Sequence, residues 1–177
     1  MTEIWLRSNR RVLFLGLVPG LVICGSAIGI LLQTSVPTFQ YIATAGLAGG
    51  AVLLGLVFRQ LLRPRVAYSD GNVLFYLRAN EPIAVPVEVV EAFFLGQGPA
   101  YLPGTVEDSQ ETVNLVARIS QKAPEWQRLE VKPALGRWCE GYVTIRGTWC
   151  EPLTNEVIRR LNRRLGEVSR EVAGQAS

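Results

Sequence analysis

The sequence predicts an α+β protein in which an N-terminal two-helix transmembrane hairpin precedes a bent antiparallel β-sheet or small barrel capped by a C-terminal α-helix. Three observations carry this. Two apolar, charge-free runs lie close together near the N-terminus, segments of alternating apolar and polar residues fill the middle, and an amphipathic stretch of helical period ends the chain.

The charge-free region comes first. No Lys, Arg, Asp or Glu occurs from residue 12 to residue 58. Charged residues make up only 19% of the 177, against a usual share of about 25%, and this gap accounts for the deficit. The run 12–32 covers roughly 31 Å as a helix, and the run 41–58 roughly 27 Å, extendable to residue 62. The polar, Pro-containing stretch 33–40 allows only a tight connection, so the two helices form an antiparallel hairpin. A cleaved signal peptide fits poorly: the run is long, no small-residue cleavage site follows it, and a second apolar segment comes at once.

Orientation follows from the arginines. Arg7, Arg10 and Arg11 precede the first helix, Arg59, Arg63 and Arg65 follow the second, and the loop between has none. The positive-inside bias then places both termini and the β domain in the cytoplasm, at the plasma (inner) membrane. Trp5 and Tyr41 are expected at the lipid–water interfaces. Residues 1–64 carry a net charge of +4 and the remainder −1. The basic balance therefore belongs to the helix ends and not to a nucleic-acid surface.

Small residues recur within the helices, as Gly16-x-x-x-Gly20, Gly25-x-x-x-Gly29 and Gly46-x-x-x-Gly50. In lipid, association depends on close backbone approach, which such spacing permits. These glycines serve either packing within the hairpin or contact with another membrane subunit. Pro19-Gly20 is expected to kink the first helix. Neither span contains an ionisable group, which argues against a transporter or channel built from this chain alone.

The division falls at residues 1–64 and 65–177. In the second part Asp70-Gly71-Asn72 signals a turn before a strand at 73–78. Residues 83–95 read as one long or broken strand interrupted at Pro86, which suits an edge or bulge. Strict alternation over 112–119 predicts a half-buried strand, and 126–131 and 142–149 add two more. Thr154 is the expected N-cap of a helix to about residue 172, with Leu153 and Ile158 as a hydrophobic staple. Its apolar stripe contains Leu161, Leu165 and Val168. Arg159, Arg160, Arg163 and Arg164 lie mainly off the stripe, on a solvated face or facing acidic headgroups.

The junction Arg63-Pro64-Arg65-Val66, the turn and strand Asp70-Gly71-x-x-Leu74, the run Ile83-Ala84-Val85-Pro86 leading to Val90, and the helix from Thr154 together resemble the bacterial pleckstrin-homology-like (bPH) domain family of small two-helix membrane proteins. The resemblance implies a seven-stranded bent sheet or barrel capped by one helix. It also implies non-catalytic roles in contact with proteins or membranes, sometimes through oligomers. Phosphoinositide-binding relatives carry a Lys/Arg cluster on the first two strands and their loop. Here that region offers only Arg65 and Arg78 beside Asp70 and Glu81, which argues against specific inositol-phosphate binding. Residues 96–111 form a further departure, a long Gly/Pro-rich connection with the acidic pair Glu107-Asp108. Tyr101 and Leu102 are its candidate partner contacts.

Chemistry is notable for what the chain omits. It contains no histidine, which removes Ser-His-Asp and Cys-His nucleophile pairs and the commonest metal ligand. Cys24, Cys139 and Cys150 have no metal or redox spacing, Gly96-x-Gly98 fails the dinucleotide fingerprint, and pairs such as Glu88 and Glu91 suit a solvated surface. No cofactor or metal is expected. The expected function is a non-enzymatic, membrane-anchored interaction module, as an accessory or assembly subunit of a membrane complex. Its partners are the lipid bilayer and a protein partner or a second copy, not nucleic acid. The alternative is a lipid- or small-ligand-binding domain at the membrane surface. The candidate residues are Gly16, Gly20, Gly25, Gly29, Gly46 and Gly50 for helix packing, and Tyr101, Leu102, Arg159 and Arg163 for partner contact.

Overall fold

The apolar third of the chain folds into two helices, α1 (Arg10–Gln33) and α2 (Pro37–Leu62), in a computed structural model that describes residues 2–99 and 111–175. Both helices outrun the apolar stretches. The Asn9 side chain caps α1 by accepting the Arg11 N–H at 3.1 Å. Pro37 opens α2, where its fixed φ suits the first helical position and no amide is missed. The predicted eight-residue connection therefore shrinks to residues 34–36, closed by the Gln40 side chain donating to Thr34 O at 3.3 Å. Both helices are long and apolar enough to cross a membrane. They leave large apolar side chains exposed, Leu15 by 71% and Leu32 by 82% among them.

Two compact units divide the chain: Asn9–Arg63, which is the helical hairpin, and Met1–Ser8 together with Pro64–Ser177. By these contacts the domain is discontinuous, and the first eight residues, which the sequence-based boundary at residue 64 groups with the hairpin, fall in the unit of the β-strands. Strand β1 (Glu3–Leu6) lies outside the expected helices and pairs antiparallel with β2 (Val66–Ser69). With β3 (Asn72–Phe75) and β4 (Ile83–Pro86) they form one antiparallel sheet in the order β1-β2-β3-β4.

A single 3-10 turn at Val87–Val89 carries the chain from β4 into the second sheet. The long or broken strand expected over 83–95 is broken at Pro86 into two strands in two sheets, with Pro86 ending an edge strand as its missing N–H favours. The second sheet contains β5 (Val90–Pro99), β6 (Glu111–Ile119), β7 (Gly136–Cys139) and β8 (Tyr142–Ile145), in the order β5-β6-β8-β7. Two hairpins turn through two residues of positive φ, Asp70 (51°) and Gly71 (79°), then Glu140 (54°) and Gly141 (74°). That geometry matches the right-handed strand twist.

Two expected strands are corrected. Trp126 ends a 3-10 turn, Pro124–Trp126, and residues 127–131 stay irregular. Their apolar side chains Trp126, Leu129 and Val131 pack on the core from a loop. The strand beginning at Tyr142 stops at Ile145, and Gly147–Trp149 forms another 3-10 turn.

The chain ends in α3 (Asn155–Gln175), whose Thr154 hydroxyl accepts the Val157 N–H at 3.4 Å. Leu161, Leu165 and Val168 are buried with Phe75, Phe93, Leu115 and Ile145 in one core drawn from both sheets and α3. The pattern of small antiparallel sheets and one amphipathic helix matches the α+β class read from the sequence.

Candidate functional site

Three places concentrate the features a function would use. The first is the seam between α1 and α2. Gly20 and Gly50 lie against each other's carbonyls: a Cβ on Gly50 would stand 3.3 Å from Gly20 O and 2.6 Å from Cys24 Sγ, and one on Gly20 would meet the Leu54 side chain at 2.7 Å. Gly16 faces Val57, and a Cβ on Gly46 would lie 3.8 Å from that of Ala27. Ala27 and Ala43 are buried in the same seam. A Cβ added at Gly25 or Gly29 would meet nothing within 4 Å. The three sequence motifs thus divide, with two in the seam and the Gly25/Gly29 pair facing outward.

The second place is where the chain leaves the domain for the hairpin and returns. Arg65 N–H donates to Leu6 O at 2.8 Å, and Ser8 forms an isolated antiparallel bridge with Cys150. Trp5 is buried and stacks on Tyr68 with ring centroids 5.5 Å apart, so it is a core residue and not an interfacial anchor. Arg65, expected among the membrane-flanking arginines, is also buried, and its Nε donates to Trp149 O at 3.1 Å.

Two arginines of α3 grip β1 from the side. Arg164 forms a fork with Glu3, Nε to Oε1 at 2.9 Å and Nη2 to Oε2 at 2.6 Å, and its Nη1 reaches Glu167 at 2.5 Å. Arg160 Nη2 binds Glu151 at 2.8 Å and Trp5 O at 3.3 Å. The Arg164 hydrogen bonds hold the Glu3 carboxyl below its ordinary range. Burial pushes the nearby Cys150 thiol up to about 12, so it stays protonated and unreactive at neutral pH. Arg159 and Arg163, the arginines singled out from the sequence, are exposed. Sequence reasoning could not sort the four because it gave Glu3 no strand to sit on.

The third place is an open groove of about 830 Å³ lined by residues of β7, the segment 128–133 and the ends of β5, β6 and β8. Among the described residues three arginines, Arg128, Arg137 and Arg146, line it against one carboxylate, Glu130. Its signal in the sequence was slight, because Arg137 lies on a strand that the pattern did not reveal and Arg128 on a loop read as a strand. Tyr101 and Leu102 lie outside the described residues. All three cysteines are free thiols. Among the described residues no three of His, Cys, Asp and Glu gather as a metal-binding group. Comparison with protein families, curated proteins and solved structures finds no match to this chain.

Proposed function

We propose that this protein is a non-enzymatic, membrane-anchored interaction module, with its α+β domain held at the cytoplasmic face of the plasma membrane for a protein partner. In this reading it is an accessory or assembly subunit of a larger membrane complex, and the domain is pleckstrin-homology-like. One observation carries it: a long apolar hairpin is inserted between two strands, β1 and β2, that pair with each other. A core helix of a soluble protein would bury its apolar surface, whereas here it is exposed along both helices. The insertion also ties the domain to the hairpin by two chain segments. The outward Gly25/Gly29 pair suits a neighbouring membrane helix.

The test uses the full chain in its native membrane. It should remain in the pellet after an alkaline carbonate wash and leave only with detergent, and chemical cross-linking in the membrane should give a discrete heteromeric adduct. Recovery in the supernatant without detergent would sink the anchoring, and a cross-linked profile containing monomer alone would sink the interaction role. A second reading, a lipid- or small-ligand-binding domain, draws on the groove, whose volume falls within the usual ligand range of about 300–1,000 Å³.

A further inference from the structure

The segment after Trp126 runs beside β7, the outer strand of the second sheet, and is tied to the β7–β8 hairpin at both ends. At one end Trp138 Nε1 donates to Trp126 O at 2.7 Å and Gly141 N to Gln127 O at 3.0 Å. At the other, Gly136 N donates to Lys132 O at 3.2 Å and Arg146 Nε to Pro133 O at 2.8 Å. Between these ties, residues 128–131 and β7 line the groove. We propose that this groove is the docking site for an extended acidic segment of the protein partner. The inference rests on the interaction-module reading and adds the chemistry of what is bound.

Charge selects the sign. Among the described residues three guanidiniums face one carboxylate, and Arg128 and Arg137 are exposed and make no ion pair there. A guanidinium presents a planar fork that fits a carboxylate with two parallel hydrogen bonds. Distribution selects the shape. The three cations come from three elements, the loop, β7 and the residue after β8. Among the described residues no helix begins at the groove, and none supplies the converging amides that usually cradle a single phosphate. Spread cations suit a row of carboxylates better than one anionic head.

An extended segment points alternate side chains to opposite sides. Acidic side chains then reach Arg128 and Arg137, and apolar ones reach Leu129 and Val131, which also line the groove.

The full chain in nanodiscs of neutral phosphatidylcholine would be titrated into a fluorescein-labelled peptide of alternating glutamate and valine, read by anisotropy. A lysine–valine peptide serves as the control. The native chain should bind the glutamate peptide and not the lysine peptide, and raising the ionic strength from about 0.05 to about 0.5 M should weaken binding. The double variant Arg128→Glu/Arg137→Glu should bind the glutamate peptide at least about tenfold more weakly and gain affinity for the lysine peptide. Because both side chains are exposed, the fold should survive, and the acquired lysine binding would itself report a folded groove. The proposal is overturned if the glutamate peptide does not bind at low salt, or binds the double variant equally well. It is overturned too if vesicles containing phosphatidylglycerol or soluble inositol hexakisphosphate bind in an Arg128- and Arg137-dependent way while the peptide does not. The cross-linked adduct separates the two levels. Its persistence in the double variant would reject the groove and leave the module standing, whereas its absence from the native chain would reject the module itself.

Discussion

Asn162 reaches from α3 to the outer edge of β5, where its carboxamide accepts the Phe93 N–H and donates to the Phe93 carbonyl, each at 2.8 Å. It stands in for the missing strand neighbour of β5 and covers an edge that would otherwise invite pairing with another chain. Asn162→Leu removes two hydrogen bonds and leaves two backbone groups of a buried residue unpaired, a loss of about 2–3 kcal/mol. Thermal unfolding of the full chain in detergent micelles, followed by tryptophan fluorescence, should show the drop. An unchanged midpoint would mean that the Phe93 groups find other partners. Glu3 gives a pH dependence of known sign. Its carboxyl titrates below the ordinary value in the folded chain because Arg164 bonds to the ionised form. Its contribution is therefore present above about pH 4.3 and is lost as the pH falls below that value and through the folded pKa. The pair is partly exposed, so the effect is small, but Glu3→Gln should lower stability slightly near neutrality and flatten the profile in that acidic window, where the native chain loses the same contribution. A parallel profile for the variant would argue against the Arg164 fork in solution.

At the scale of the element, the helical hairpin is the part most legible from sequence. Its length, its lack of charge and its glycines speak directly to helix geometry and lipid thickness. What one helix could not reveal was which glycines face the other. That is set by the crossing, which brings Gly20 beside Gly50 and leaves Gly25 and Gly29 in open space. The 3.8 Å approach of a Gly46 Cβ to Ala27 falls in the range a disulfide spans. In a chain carrying Cys24→Ala, the pair Ala27→Cys/Gly46→Cys should oxidise within one molecule. Adding Gly50→Ile, whose side chain enters the backbone contact at Gly20, should abolish that bond, whereas adding Gly25→Ile should not. Equal yields in both would show that the seam lies elsewhere. The strands were less legible. β7 is four residues long and its turn is Glu140-Gly141, lacking the Asn or Asp that usually marks a two-residue hairpin. Loop residues such as Trp126 and Leu129 imitate a strand because they pack on the core without pairing in a ladder. The groove was hidden for the same reason, since it exists only where an unforeseen strand meets a misread loop.

At the scale of the whole molecule the decisive residues are the first eight. A strand of four residues ahead of an apolar helix looks like a membrane flank, and only its partner β2, some sixty residues later in the chain, reveals it as part of the domain. Pairing across such an insertion is non-local and invisible to any local pattern. It also constrains topology. Leu6 and Arg65 are hydrogen-bonded, so in the proposed arrangement the chain leaves and re-enters the domain on one side, and the number of membrane crossings between them is even. In that arrangement the side would be set by Arg10, Arg11, Arg59 and Arg63 at the outer turns of the helices, without Arg65, whose guanidinium belongs to the domain. Single cysteines at Thr2, Ser35 and Glu81, all exposed, in a chain freed of its native thiols, would test this in intact cells with a membrane-impermeant maleimide. Ser35→Cys, in the connection between the helices, should label from outside. Thr2→Cys and Glu81→Cys should label together, and only after the membrane is opened. Labelling of Thr2→Cys and Glu81→Cys from opposite sides would contradict the pairing of β1 with β2. Labelling of both from outside would keep the pairing and reverse the orientation, removing the cytoplasmic partner from consideration.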